Sequence, residues 1–326
     1  MWSEQQEGAG FVISGNPNFN NSSAAALLSY DVAHAIPWDW RVSLYTWTKG
    51  IASGVYLVAC LLVLLGFLDV TDSIWLWATP ILSGAFLALT GVLLLWDLEH
   101  PERFYLIFTR PQWRSWLVKG AFIIAGYTLV LALHFIASWA GSKSFQSRLM
   151  IAGIPLSLMT AIYTAYLFAQ AKARDMWQNP LLPPHLFFQA MLLGSAVLLP
   201  LIAYFKGVTL NDSFGFAGFV RPEVTWLLWI LGISSLIHLL MVWGEVSLTH
   251  PTAHSRLAIW EMVNGRYKND FWTGIILSLL GGALPLLAVL NIFNPSYGIA
   301  AAPLALIGLM LFEHAYVQAG QSVPLA

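Results

Sequence analysis

Charge and cysteine are scarce in this sequence of 326 residues. Only 10% of the residues are charged and 58% are hydrophobic, whereas a soluble domain carries about 25% charge. The formal net charge of −1 supplies no basic face, which argues against a nucleic-acid partner. The single cysteine, Cys60, cannot form an intrachain disulfide, a structural zinc site or an iron–sulfur cluster. Any such centre would belong to another subunit.

Motifs for nucleotide binding or hydrolysis are also missing, since the chain has no P-loop, no HExxH and no strand followed by GxGxxG. A haem b would need two imidazoles at matching depth on facing helices. His134 lies toward the other end of the bundle from His238 and His314, so only a haem between the latter two stays open as an alternative. We favour a histidine hydrogen-bonded to Glu245 or Glu313, and we predict no haem or metal in this chain.

Long apolar runs are what the sequence has in abundance. Eight of them are near the ~20 residues that cross the hydrocarbon of a bilayer. We therefore predict an all-α integral membrane protein with eight transmembrane helices, arranged as two four-helix bundles. The predicted spans are 44–68, 74–96, 115–140, 149–171, 185–205, 224–246, 271–292 and 299–317.

The segment before the first span, residues 1–43, is predicted to be a polar arm with a short interfacial helix after Asn21–Ser23. The first residues, MWSEQQEG, lack the basic and apolar regions of a signal peptide, so we expect insertion through the first span. Residues 44–326 then form one membrane domain.

Polar groups at membrane depth are concentrated at one end of the predicted bundle. We call this end the N-side; it holds the N-terminal ends of odd spans and the C-terminal ends of even ones. Ionisable groups inside a membrane are expensive, so the N-side is where function is expected. Apart from Lys49, ten Lys and Arg residues lie on the N-side and four on the other, which places the N-side and the N-terminus in the cytoplasm.

The first span carries Tyr45, Lys49, Ser53 and Tyr56 at helical spacing, which puts them on one stripe. A lysine about one turn below the interface costs roughly 2.5–3.5 kcal/mol on insertion scales. The alternative is that Lys49 extends to the lipid headgroups. Its small neighbours Gly50 and Ser53 favour a packed helix face instead.

The second span ends in a run of ionisable residues, WDLEHPERF, in which Asp97 is the deepest. Pro101 stops the helix. A carboxyl group bordered by Leu93 and Trp96 is expected to have a raised pKa and to exchange protons near neutral pH. For Glu102 and Arg114 a solvated loop is the preferred interpretation.

The fourth span places Tyr163, Tyr166 and Gln170 toward the N-side, beside a face of small residues suited to close helix packing. Tyrosines at this spacing are more often core than ligand-binding residues. Tyr163 is singled out because it should lie at the same depth as Tyr45 and Asp97 if the first four spans form a bundle.

The chain resembles the NrfD-like membrane subunits of the polysulfide reductase family, which occur in complex iron–sulfur molybdoenzymes and alternative complex III. The resemblance covers nearly the whole chain after residue 38. It rests on the following stretches, in this order: YTWTKGIASGVYLV, WDLEHPERFYLIFTRPQWRSW, QAKARDMWQNPLLPPHLFFQA, THPTAHSRLA and FEHAYVQAGQSVPLA. Some relatives have a histidine on the first helix where this sequence has Tyr45.

The resemblance implies a quinone head group, menaquinone or ubiquinone, among the first four helices. Electrons would be exchanged with an iron–sulfur subunit docked on the N-side, next to a molybdopterin-type catalytic subunit, in a bacterial or archaeal cytoplasmic membrane. We assign Tyr45, Lys49 and Tyr163 to the head group and Asp97 with His100 to proton transfer. The partner interface would use Arg103, Arg110 and Arg174; a secondary polar cluster comprises His238, Glu245, Glu313 and His314.

Two other functions remain as alternatives. A structural anchor without a quinone site would explain the basic loops but needs no buried polar stripe. A secondary transporter would place its site near the midplane on broken helices, and Pro155, Pro285 and Pro303 offer weak support for that interpretation.

Overall fold

The computed structural model describes residues 38–172, 174–207, 222–250 and 252–323. Within these ranges the protein is helical, with eight helices long and apolar enough to cross a membrane. The prediction of an all-α fold with eight spans is confirmed. The predicted interfacial helix after Asn21–Ser23 lies outside the described residues.

We number the spanning helices α1 to α8. Their bounds are α1 Trp40–Leu64, α2 Thr79–Trp96 with a π-helical turn Ile74–Ala78 before it, α3 Trp116–Trp139, α4 Lys143–Ala169, α5 Leu182–Phe205, α6 Pro222–Ser247, α7 Lys268–Val289 and α8 Ala302–Ser322. A surface helix, Ala253–Val263, lies on the N-side beside α8, and a short helix, Pro295–Ala300, leads into α8.

The helices form two rings of four. In the first ring α1 packs on α2, α2 on α3, α3 on α4, and α4 on α1; helices α5 to α8 close the second ring in the same way. The rings meet along α1, which contacts α5 and α8, so α1 is buried on nearly all sides. This arrangement puts the predicted polar stripe of α1 at the centre of the molecule.

Glycines set the distance between the two rings. An added Cβ at Gly54 would lie 1.9 Å from the carbonyl oxygen of Ala190, and one at Gly194 would lie 2.1 Å from the carbonyl carbon of Gly54. Backbones that approach this closely leave no room for a side chain, as in other small-residue crossings of membrane helices. The α1–α5 contact therefore depends on Gly54 and Gly194.

The prolines give no support to a transporter with broken helices. Pro155 and Pro285 lie inside continuous helices, α4 and α7. Pro303 lies in the first turn of α8, where proline costs no hydrogen bond. The helices of the described chain thus lack the paired discontinuities that such a site requires.

Candidate functional site

Lys49 is enclosed at the centre of the bundle, with 1% of its surface exposed. Its ammonium donates hydrogen bonds to the Ala161 carbonyl oxygen at 2.9 Å and to Thr164 Oγ1 at 2.5 Å, both on α4. It also lies 5.0 Å from the centre of the Tyr163 ring. The alternative in which Lys49 reaches the lipid headgroups is therefore wrong, and the packed-face interpretation holds.

Two tyrosines flank this lysine. Tyr45 lies one turn nearer the N-side on α1, and Tyr163 lies on α4; both are buried. The Thr164 hydroxyl interacts with both phenol groups. Gly120 of α3 supports the Tyr163 ring, since an added Cβ there would lie 2.4 Å from Tyr163 Cε2. The structure thus brings together the three residues assigned to the head group.

Glu313 of α8 approaches the same region from the second ring. It is buried, interacts electrostatically with Lys49, and forms no ion pair with it within 4.0 Å. Its Oε2 accepts no hydrogen bond from the residues that the structure describes. A small cavity between the rings joins Glu313 to Thr46, His185 and Gln189. The buried acid therefore connects the Lys49 site to polar groups of α5.

Two histidines pair on the far side of this cavity. His185 Nε2 and His238 Nδ1 are 2.7 Å apart, and the Phe312 side chain packs against both imidazole groups. His314 instead approaches Ser43 Oγ at 3.3 Å. Among the described side chains no bond joins a histidine to the carboxyl group of Glu245 or Glu313, so the favoured His–Glu pair is replaced by a His–His pair.

His185 was missed because the predicted fifth span begins at that residue, which places it at the interface. The helix actually starts at Leu182, since Pro183 and Pro184 fit its first turn, and His185 is buried. A pair of prolines is typical of a loop, although it is also a helix-start signal that could have revealed the histidine.

Glu245 is hydrogen-bonded at the end of α6, in the second ring. Its Oε1 accepts a hydrogen bond from Asn179 Nδ2 at 2.9 Å, and it interacts with the Tyr316 hydroxyl. The His250 ring is bonded to the backbone oxygen of Glu245 at 2.7 Å. The Asn179 bond ties the end of α6 to the loop before α5.

Asp97 caps the N-side end of α2, with 16% of its side chain exposed. Arg41 Nη2 lies 3.8 Å from Asp97 Oδ1, and Arg41 also binds Asp39 at 2.8 Å. Burial raises the pKa of the Asp97 carboxyl; the nearby Arg41 lowers it and Asp39 adds to the rise. The expectation of a raised pKa agrees with this geometry. Asp97 also acts electrostatically on Tyr45.

Four other residues assigned from the sequence lie outside the Lys49 cluster. His100 is 59% exposed and faces Glu102 at 3.2 Å, in the loop after α2. Arg103 is paired with the same glutamate at 3.8 Å, and Arg110 is exposed. Arg174 is buried and donates to the Val323 carbonyl oxygen at 2.6 Å, so it holds the C-terminal end of α8 instead of presenting a surface.

The Lys49 region is suited to a particular ligand chemistry. An ammonium, two phenol groups and a threonine hydroxyl lie among apolar helix faces, so the site offers several donors and little charge. Two of the three N–H groups of the Lys49 ammonium donate to Ala161 and Thr164 of α4, which leaves one N–H group for a ligand. Within the described residues no three His, Cys, Asp or Glu side chains cluster to hold a metal. The chemistry of these donors matches a neutral, apolar molecule with accepting oxygens.

Comparison with known proteins covers most of the chain. Residues 30–324 match the sequence profile of the family described as polysulphide reductase, NrfD. An NrfD homologue of Haemophilus influenzae is 22% identical over 325 residues, covering 90% of this chain and 98% of its own.

Two further relatives carry names of reductase subunits. A putative membrane subunit of a dimethyl sulfoxide reductase from Halobacterium salinarum is 26% identical over 234 residues, covering 64% of this chain and 51% of its own. The chain thus matches about half the length of that relative. A subunit of a selenate reductase from Mesobacillus selenatarsenatis is 23% identical over 305 residues, covering 81% of this chain and 68% of its own.

Proposed function

The chain belongs to the polysulphide reductase NrfD family, and on that premise we propose that this membrane subunit of a respiratory oxidoreductase binds a quinone head group between α1 and α4. The bound quinone supplies two-electron, two-proton redox chemistry at membrane depth. The residues of this chain bind it, orient it and transfer protons. The chain would exchange electrons with an iron–sulfur subunit beside a molybdopterin-type catalytic subunit, in line with the reductase names of its relatives.

The enclosed Lys49 carries the proposal. A buried amine without a role would be costly in a membrane span, because its insertion is unfavourable by roughly 2.5–3.5 kcal/mol. In this protein Lys49 lies where the two helix rings meet. Its ammonium donates a hydrogen bond to Thr164 Oγ1 and lies over the aromatic ring of Tyr163. A quinone carbonyl oxygen would accept from the remaining Lys49 donor, with the Tyr45 or Tyr163 hydroxyl as a second donor. A structural anchor requires none of these groups.

Protons would pass through Asp97. Burial raises its pKa, which favours the protonated form that can donate, and Asp97 lies at the N-side end of the site within electrostatic reach of Tyr45. His100 lies in the exposed loop, so its proposed part is to exchange protons with water outside the bundle. The partners would dock on the N-side loops, where Arg103 and Arg110 lie; Arg174, being buried, would support that surface from below.

Binding of a soluble quinone analogue to the purified complex tests this function. Lys49→Met preserves side-chain length and removes the donor, so we expect the dissociation constant to rise by about tenfold or more, from loss of a hydrogen bond of ~1.5–3 kcal/mol. Lys172→Met, in an exposed loop, is the matched control and should leave binding unchanged. Equal affinity in both variants would favour a simple anchor, or a site at the His185–His238 pair.

A further inference from the structure

A groove of about 400 Å³ runs along the outside of the first ring, between α2 and α3. Its floor and walls include Gly84, Ala88 and Gly91 of α2 with Ile124, Leu131 and Phe135 of α3. These residues lie within the two spans, so the groove opens at hydrocarbon depth. Its lining is almost wholly apolar, and an occupant must be apolar too.

No contact inside the described chain requires glycine at the two positions of the groove, 84 and 91. A Cβ added at Gly84 or Gly91 would meet no atom within 4 Å, and neither residue has a positive φ. By contrast, an added Cβ at Gly54, Gly120 or Gly153 would collide with a neighbour. Neither the backbone conformation nor the internal packing thus requires glycine at positions 84 and 91. Their effect is to deepen a surface open to lipid.

The N-side end of the groove adjoins the Lys49 site. Thr90, next to Gly91, bonds Thr48 at 2.9 Å through their hydroxyl groups, and Thr48 precedes Lys49. On the other wall Ile124 lies one turn from Gly120, which supports the Tyr163 ring. Helices α2 and α3 also pack less extensively than the other neighbouring pairs of the first ring. Within the first ring, the seam between α2 and α3 is therefore the least tightly packed boundary with the bilayer.

We propose that this groove holds the isoprenoid tail of the quinone and that the α2–α3 seam is its lateral entrance from the bilayer. The inference rests on the proposed function, because a tail needs a head group bound at Lys49. A tailed quinone must reach a central site through a lipid-facing opening, and this groove offers one of matching polarity that ends beside the site. A lipid acyl chain and a helix of a partner subunit are the competing occupants.

The first test fills the groove. Gly84→Leu and Gly91→Leu place apolar side chains at positions where an added Cβ meets no atom within 4 Å, so we expect the complex to assemble. For a long-tailed quinone we expect kcat/KM to fall about tenfold, which corresponds to roughly 1.4 kcal/mol of lost packing. Turnover of a tail-less analogue should stay within about twofold, because the head-group residues are untouched. Ala85→Leu, exposed on the same helix outside the groove, is the matched control.

The second test maps the tail directly in the unaltered complex. A quinone with a photoreactive diazirine on an isoprene unit should label groove residues of α2 and α3, and excess unlabelled quinone should abolish that labelling. Labelling of other helices, or labelling displaced by phospholipid and not by quinone, would overturn the proposal. So would groove variants that match Ala85→Leu with the long-tailed quinone. A complex that binds no quinone analogue at all would instead refute the proposed function.

Discussion

Lys49 of α1 donates a 2.9 Å hydrogen bond to the backbone carbonyl oxygen of Ala161, and this bond links the central helix of the molecule to α4. A carbonyl already in a helix can accept a second bond, so the ammonium is held without breaking α4. The consequence is a fixed donor at the junction of two helix rings.

Asp97→Asn should slow quinone turnover while leaving the complex assembled. The amide keeps the shape of the carboxyl but cannot titrate, and loss of a positioned acid or base typically costs about 10²–10⁴-fold in rate. Steady-state kinetics of the purified complex, with reduction of its iron–sulfur centres by the partner's substrate as an internal control, measures this. Glu99→Gln, in the exposed loop nearby, should behave as the parent. Parental turnover in Asp97→Asn would remove Asp97 from the proton path.

The pKa of Asp97 should respond in opposite directions to its two charged neighbours. Arg41 lowers that pKa and Asp39 raises it, so Arg41→Gln should move it further up and Asp39→Asn should move it down. Asparagine also caps helices well, so Asp39→Asn should not shorten α1. Infrared titration of the protonated carboxyl band, assigned by its loss in Asp97→Asn, reads out both shifts. Shifts of the same sign in both variants would contradict the geometry.

Burial of Asp97 also affects stability. The pKa of Asp97 is raised in the folded protein, so folding favours the protonated form. The contribution of Asp97 to the free energy of unfolding is therefore present at low pH and is lost as pH rises through the folded pKa. The pH dependence from Asp39 is opposite. The hydrogen bond from Arg41 lowers the pKa of Asp39, so the stabilisation that Asp39 contributes is lost as pH falls through its folded pKa.

Gly54→Leu should destabilise the junction of the two rings. The new side chain would overlap the α5 backbone at Ala190 and Gly194, which cannot move as a flexible side chain could. Overpacking typically costs about 1–3 kcal/mol and more where a backbone must shift. Thermal unfolding in detergent should show a lower Tm and a poorer yield. Gly244→Leu is the control and should match the parent, because an added Cβ at Gly244 meets nothing within 4 Å.

Partner subunits should dock on the N-side. The segments 97–114, 172–184 and 247–270 are predicted to lie there, and the first contains the exposed Arg103 and Arg110. Chemical cross-linking of the intact complex, read by mass spectrometry, should join these loops to hydrophilic subunits. Cross-links confined to 141–148 and 206–223 would invert the assignment.

Much of the fold was accessible from the sequence, because apolar length and helical spacing are local properties. The eight spans and the burial of Tyr45, Lys49 and Tyr163 followed from them. Contacts between distant helices did not follow. Span boundaries set the apparent depth of each residue, so the late start assigned to α5 hid His185.

Arg174 shows a second limit of the sequence. A basic residue in a loop is normally expected to be solvent-exposed, but here the Val323 carbonyl at the C-terminal end of α8 accepts a hydrogen bond from the Arg174 guanidinium. Likewise, nothing local reveals that Glu313, about 260 positions from Lys49, acts on the same site. Such pairings depend on how the rings are assembled.

The two buried glutamates of the second ring should differ in their effect on quinone. Glu313 acts electrostatically on Lys49 and lines the cavity between the rings, whereas Glu245 is bonded to Asn179. In Glu313→Gln the Lys49 ammonium loses a compensating opposite charge, so we expect a quinone analogue to bind about tenfold more weakly, equivalent to roughly 1.4 kcal/mol. Glu245→Gln should alter affinity by less than about twofold. Titration of the analogue against both purified variants decides this. A larger effect from Glu245→Gln would place the head group within the second ring, since the two substitutions are chemically identical and differ only in their surroundings.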